Sequence, residues 1–277
     1  VTAAKTIFIT GVSSGFGHAL AHQALAQGHR VIGTVRSVEA LASFEALSTD
    51  RAHGVIMDVT HFDTIDDIVA DVVRTHEHVD VLVNNAGYGH EGVFEESPLD
   101  EMRKQFDVNV FGVVAVTKAF VPLFRQRRAG HILNITSMGG YITMPGIAYY
   151  CASKFALEGL SDTLSQELRP FNIHVTAVAP GSFRTDWAGR SMRRTPRSID
   201  DYDDSFNPIR EARQEKSGAQ LGNPDKAALA MLEIIASPNP PTHLLLGSDA
   251  LALVRDRLQR TAEQIDRWEH LTLSTDG

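Results

Sequence analysis

Tyr150 and Lys154 stand four residues apart in the run Y-C-A-S-K, with Ser137 thirteen positions upstream. A phenol beside an ammonium is a combined proton donor and acceptor. Free tyrosine titrates near ~10 and is a poor base at neutral pH. On a helix, side chains at i and i+4 share a face. An ammonium ~4–5 Å from a phenolate, at an effective dielectric of ~20, stabilises it by roughly 3–4 kcal/mol, or ~2–3 pKa units. Such a depression brings Tyr150 into the range of effective general acid–base catalysis. Tyr149 is adjacent but points about 100° away around the helix, and no lysine follows it at four residues. Ser137 is the candidate donor to an oxygen on which negative charge develops. No His–Asp orienter or G-x-S-x-G elbow accompanies this set, which sets acyl transfer aside.

These side chains need a scaffold, and the start of the chain reads as part of one. Lys5–Thr10 is a short apolar, β-branched run suited to a buried parallel strand. It leads into Gly11-x-x-x-Gly15-x-Gly17, with Ser13, Ser14 and Phe16 between the glycines, then into an Ala/Leu-rich helical segment closed by Gly28. Glycines at a strand–helix junction let the backbone approach a pyrophosphate, and the helix N-terminus offers unpaired N–H groups and a positive dipole end. The spacing differs from the G-x-G-x-x-G fingerprint, but strand, loop and helix are the context a phosphate site requires.

Strand-like runs fall at 5–10, 31–35, 53–57, 80–84, 130–136, 174–179 and 242–247, with helical stretches near 16–27, 38–48, 61–77, 99–127, 149–169 and 224–236. This alternation predicts one α/β domain over 1–277, a parallel sheet with helices on both faces. Ligands then bind at the carboxyl ends of the strands, where strand order reverses; Gly11, Asn85, Ser137 and Pro180 sit at or just past such ends. Two segments break the pattern. Residues 181–222 lack a clear period and carry Arg184, Arg190, Arg193, Arg194 and Arg197 before the acidic run Asp200–Asp204. They read as a solvated lid whose charges face water or each other, the alternative being a site for an anionic substrate. Residues 249–269 form an amphipathic helical extension with its stripe at Leu251, Val254, Leu258, Ala262, Ile265 and Trp268, placed to cap a substrate entrance or alter subunit packing.

A formal net charge of −8 over 277 residues argues against nucleic acid as a partner. The single cysteine, Cys151, fits a reducing compartment and reads as a small helix filler. No run has signal-peptide form and none approaches the ~18–20 residues of a membrane span, so the expectation is a cytoplasmic protein with no membrane partner. His18 and His22 have i, i+4 ligand spacing, but no third ligand is suggested nearby and no H-E-x-x-H occurs; no metal is expected.

In order along the chain, Thr10-Gly11-x-x-x-Gly15-x-Gly17, Asn84-Asn85-Ala86-Gly87, Asn109, Ser137, Tyr150-x-x-x-Lys154 and Pro180-Gly181 resemble the short-chain dehydrogenase/reductase family, over about residues 4–250. The resemblance implies a Rossmann-type doubly wound sheet of seven strands in the order 3-2-1-4-5-6-7. It implies hydride transfer between a nicotinamide cofactor and a secondary alcohol or its ketone. Tyr150 would be the general acid/base, Lys154 its electrostatic partner and a ligand to the nicotinamide ribose, Ser137 a donor to the substrate oxygen. Asn109 would hold a relay water through its backbone. On the cofactor side, Ser13, Ser14 and Phe16 would join the glycines at the pyrophosphate, and Asp58, with Val59 beside it, would take the adenine amine. Asn85, Ala86 and Gly87 would line the adenosine side, with Pro180, Gly181 and Thr185 at the nicotinamide end. Such enzymes select the cofactor at the end of the second strand, by an acidic residue for NAD or an arginine for a 2′-phosphate. Counting from Gly17 the acidic position falls on Val35, Arg36 follows, and no carboxylate lies between Val31 and Ser37. This predicts NADP(H), with NAD(H) possible because Ser13 and Ser14 replace the basic loop residue of some NADP-binding relatives.

Met138, Tyr141, Met144, Pro145, Phe183, Trp187 and Met192 offer an apolar wall, pointing to a bulky hydrophobic alcohol or ketone, the alternative being that these residues are plain core. Ser137, Tyr150, Phe183 and Trp187 are the expected substrate contacts. The similarity runs toward hydroxysteroid and retinol dehydrogenase-like members, an analogy that names no substrate. Helices 99–127 and 149–169 form the family's subunit face, so a homodimer or homotetramer is expected. Two other readings stay open: a non-catalytic cofactor sensor, although such relatives typically lose the Tyr or Lys, and epimerisation or dehydration, found in longer relatives.

Overall fold

The computed structural model describes residues 3–277. The first half forms β1 (Thr6–Ile9), α1 (Gly15–Ala26), β2 (Arg30–Val35), α2 (Val38–Glu45), β3 (Ala52–Ile56), α3 (Phe62–His76), β4 (Val81–Asn84), β5 (Gly89–Glu91), α4 (Leu99–Phe106) and α5 (Gly112–Arg127). The second half forms β6 (Gly130–Ile135), α6 (Ala148–Leu168), β7 (Ile173–Pro180), β8 (Met192–Arg194), α7 (Asp203–Glu215), α8 (Pro224–Ala236), β9 (His243–Leu246) and α9 (Ser248–Leu273). Seven strands make one sheet in the order β3-β2-β1-β4-β6-β7-β9, every pairing parallel. With the short β5 and β8 set aside, this is the expected 3-2-1-4-5-6-7.

Alternation along β1 shows how the sheet is covered. Ile7 and Ile9 enter one core with Leu20, Leu25, Met231 and Leu232 of α1 and α8. Phe8 points the other way, into a core with Val69, Val72, Val116, Phe120 and Phe124 of α3 and α5. A side chain of this size, fully buried, contributes about 1.5–3 kcal/mol. Burial on both faces is why the strands read as continuous apolar runs.

Three segments depart from the sequence reading. The stretch 99–127 is not one regular helix: a π-helical turn, Asp107–Phe111, separates α4 from α5 and buries Asn109, the kind of inserted residue that recurs at functional sites. By length and hydropathy this stretch is also long and apolar enough to cross a membrane, which corrects the view that no run approaches that size. In this fold its Val113, Val116, Phe120 and Phe124 are buried, as is about a third (33%) of its most apolar window. Residues 181–222 are structured: β8 pairs in parallel with β5, Gly89 opposite Met192 and Glu91 opposite Arg194, and α7 follows. Finally, α9 packs through its first turns only. Ala250 and Val254 are buried, whereas Leu251, Leu258, Ile265 and Trp268 are exposed.

Candidate active site

The glycine loop lies where β1 and β4 diverge in strand order. Gly11 and Gly15 adopt φ of +73° and +58°, a region L side chains rarely enter. A Cβ on Gly17 would sit 2.1 Å from the Gly11 carbonyl oxygen and 2.5 Å from Asn85 Nδ2, so only glycine lets α1 begin this close to the loop. Ser14 gives α1 no side-chain cap, which leaves first-turn amides for an anion. Asn85 Nδ2 donates to Thr10 O at 3.0 Å and Gly11 O at 2.8 Å. Thr10 Oγ1 accepts from Asn85 N and Ala86 N at 2.9 and 3.0 Å. The Asn85 side chain thus holds the loop together. Thr185 lies over the loop, its Cβ 3.8 Å from where Gly15 would carry one. An uncapped helix start, a close-approach glycine and a backbone cradle fit a dinucleotide pyrophosphate.

Arg36 is exposed just past buried Val35. Burial pushes the Asp58 carboxyl up, but hydrogen bonds from Thr60 N (2.9 Å) and Oγ1 (2.8 Å), then the charges of Arg36 and His61, hold it below its ordinary value. Val59 is buried beneath Gly112.

Tyr150 and Lys154 are both buried on α6. Lys154 Nζ donates to Ile135 O at 2.9 Å and stands 5.7 Å from the Tyr150 ring centroid. Ser137, at the end of β6, accepts from Gly139 N at 3.0 Å. A Cβ on Gly139 would meet Ser137 Oγ and Tyr150 Cε1 both at 3.3 Å, so serine hydroxyl and phenol edge border one small space. Burial raises the Tyr150 phenol well above its ordinary pKa, and hydrogen bonding by Ser137 and Trp187 opposes this. Burial also pulls the Lys154 amine down to about 8, opposed by Glu158. The expected depression of Tyr150 by Lys154 is therefore corrected: burial is the largest influence on each group, and neither is among the influences on the other. At neutral pH the site holds a neutral phenol beside an ammonium, which is a proton donor.

Asn109, in the π turn, accepts from Tyr88 N at 3.1 Å and donates to Tyr88 O and Ser153 Oγ, each at 3.1 Å. Ser153 Oγ in turn donates to Tyr150 O at 2.7 Å. Asn109 thereby ties the loop after β4, which carries Gly87, to α6.

Trp187 packs on Tyr150, ring centroids 5.0 Å apart, in an apolar cluster with Ile147, Cys151 and Met144. Phe183 does not join it. Its ring meets Phe16 edge-on at 5.1 Å and belongs to the core beneath α1 and α8, so the expected substrate contact there is corrected. Ser182 N, beside Pro180 and Gly181, donates to Asp249 Oδ2 at 2.8 Å, joining the start of the lid to α9.

The arginines of 181–222 divide between surface and interior. Glu91, with no exposed side-chain surface, receives Arg194 at 3.2 Å, Arg210 at 2.9 Å and Arg213 at 2.6 Å. Glu96 takes Arg197 at 2.9 Å and the amides of Ser198 and Ile199. Burial pushes its carboxyl up, but these partners bring it to about 2. Arg190 pairs with Asp186 at the surface. Arg190–Asp186 and Arg197–Asp203 are pairs of the expected kind within the segment, whereas the convergence on Glu91 is neither a solvated flap nor an open anion site. Glu91, Glu96 and Asp249 escaped the sequence reading, since each meets partners far along the chain; for Glu91 and Glu96 the one hint was the run of carboxylates after the Asn85–Gly87 motif. His18 and His22 stand 6.5 Å apart, ring to ring, and no cluster of three metal-ligating side chains occurs among the described residues.

With this geometry in hand, comparison with known proteins is informative. A family model described as short chain dehydrogenase matches residues 5–195. The 3-ketodihydrosphingosine reductase of Bacteroides thetaiotaomicron is 36% identical over 248 residues, 88% of each chain. A short-chain dehydrogenase structure from Streptomyces avermitilis superposes with TM-score 0.92 at 39% identity, covering 99% of this chain and 100% of that one. A short-chain dehydrogenase/reductase from Burkholderia phymatum, solved with NAD, gives 0.83 at 26% identity, covering 95% and 96%.

Proposed function

The chain belongs to the short-chain dehydrogenase family, oxidoreductases acting on CH–OH groups, and on that premise we propose that it is an NADPH-dependent carbonyl reductase for an apolar ketone, with Tyr150 as proton donor. The observation that carries the reading is the buried Tyr150–Lys154 pair bordered by Ser137 and walled by Trp187, Met144 and Ile147.

A bound reduced nicotinamide supplies the hydride. Everything else falls to the chain. Tyr150, neutral at physiological pH, releases its proton to the substrate oxygen as charge builds there. Ser137 donates a second hydrogen bond to that oxygen, and Lys154 keeps positive charge beside the phenolate left behind. The apolar wall excludes water, which strengthens each of these interactions. A phenol raised by burial is better stocked as acid than as base, which supports the reductive reading.

NADP(H) is favoured by Arg36, free at the end of β2 to meet a 2′-phosphate in bidentate fashion. An apolar substrate accords with the wall and with the ketone-reducing relative. Self-association through α4–α5 and α6 is supported by Phe111 and Phe155, 52% and 41% exposed there. The test is stopped NADPH fluorescence over a panel of bulky ketones with wild type and Tyr150→Phe. Turnover in the first and a loss of at least roughly 10³-fold in the second, with NADPH still bound, is expected. Tight NADPH binding without turnover of any ketone would make the protein a cofactor sensor instead.

A further inference from the structure

Trp187 is fixed against Tyr150 by more than contact. It lies in the short turn Asp186–Ala188, closed by Gly189 N and Ser191 N donating to Asp186 O at 3.1 and 2.9 Å. Thr185 Oγ1 accepts from Trp187 N at 3.4 Å. Just beyond, β8 is held on β5, and a Cβ on Gly89 would meet Trp187 Cε2 at 3.1 Å. The indole has little room to turn away. Yet its Nε1 is buried and, among the described residues, meets no acceptor at hydrogen-bonding geometry. Buried N–H groups left this way are rare and ask for an explanation.

The acceptor is next to it. Ser137 and Trp187 are the two side chains whose hydrogen bonding opposes the burial of the Tyr150 phenol. A neutral phenol oxygen is a weak acceptor, and a phenolate a strong one. We propose that Trp187 is a catalytic residue, its indole N–H donating to the Tyr150 oxygen when that oxygen becomes charged, so that the 181–194 segment, by holding the indole there, activates the acid–base group. In reduction by NADPH, hydride adds to the carbonyl carbon while the C=O π pair takes the phenolic proton. Tyr150 is left as phenolate, and the indole proton is shared with it but never transferred.

The other groups around Tyr150 are accounted for. Lys154 and Cys151 share its helix, with Glu158 one turn beyond Lys154, and Ser137 approaches from β6. From α7, Arg213 acts on Cys151 while bound to Glu91. The inference rests on the proposed acid–base role of Tyr150, and its test is chosen to stand apart from turnover. Tyrosinate absorbance is titrated in the NADP⁺ complexes of wild type, Tyr150→Phe and Trp187→Phe; subtracting the first variant isolates Tyr150. In Trp187→Phe, which keeps an aromatic ring on Tyr150, the midpoint should rise by about one to two pH units and kcat fall about 10- to 100-fold. The rising limb of alcohol oxidation should move alkaline by the same interval. Trp187→His, which returns a ring N–H, should recover part of the shift, and Trp187→Leu, a guard against poor repacking of Phe, should reproduce it in full. Coincident midpoints in wild type and Trp187→Phe, whatever happens to kcat, would reduce Trp187 to packing and overturn the inference. Wild type that titrates as expected but reduces no ketone would count against the proposed reaction alone.

Discussion

Replacing Glu91 by Gln tests how the lid is held. The carboxylate accepts from Arg194 Nε at 3.2 Å and Arg210 Nε at 2.9 Å on Oε1, and from Arg213 at 2.6 Å on Oε2. Gln keeps the volume, removes the charge, and turns an NH₂ toward at least one guanidinium whichever way the amide lies. Breaking a buried ion pair by removing one partner costs about 3–5 kcal/mol. The three arginine side chains remain 14–24% exposed, so water screens what is left, and about 3 kcal/mol is the expected loss. Urea unfolding followed by circular dichroism should show a lower midpoint at unchanged m. Because the pair is buried, about 0.5 M salt should not abolish the difference from wild type. Adding Arg213→Met to Glu91→Gln should be less damaging than the sum of the two, by about 1–2 kcal/mol. A loss below about 0.5 kcal/mol, or strict additivity, would refute the reasoning.

Other outcomes follow from the titrating groups and the cofactor end. Lys154, brought down to about 8, is charged below that pH, so ketone reduction should be flat near neutrality and decline above about pH 8; Glu158→Gln, which removes the carboxylate supporting that charge, should move the decline to lower pH. Burial, with the charges of His174 and Lys5, depresses His131 to about 3. The unfolded chain therefore binds its proton first as pH falls below about 6.5, and stability from this group is complete above that and lost toward pH 3. Urea midpoints should report about 2 kcal/mol lost from this group between pH 7 and 5, and a flatter profile in His131→Gln. Arg36→Leu should cut the NADPH-to-NADH ratio of kcat/KM about 10- to 100-fold while sparing NADH; an unchanged ratio would place cofactor selection elsewhere.

The strands and the main helices were legible because their signals are local. Apolar β-branched runs and glycine-punctuated junctions give β1 to α1 within a residue of the expected limits. The Tyr150–Lys154 pair was legible as a pair, since i, i+4 geometry is a property of the helix. Its depth was not: four residues cannot report that both side chains lie below the surface, and depth decides which way the phenol titrates. Phe183 was assigned to the wrong side of its turn, because an aromatic residue after Pro180-Gly181 suits either the core or the cleft. The π turn was not legible: Asp107–Phe111 holds poor helix formers, Asn109 among them, but low helix propensity does not signal an inserted residue. Arg194 and Arg197 read as facing water or each other because their carboxylates Glu91 and Glu96 arrive from about a hundred positions earlier, and no periodicity connects the two stretches.

That separation bears on anyone who would transplant specificity between homologues. The natural cut points for exchanging 195–222 lie in loops, yet the acceptors for its cations, Glu91 and Glu96, lie about a hundred positions earlier in the chain. A chimera that imports the segment into a host lacking both acids would strand several guanidiniums in its interior. Grafts of this region should therefore be made as a matched set, with the 89–98 stretch travelling alongside.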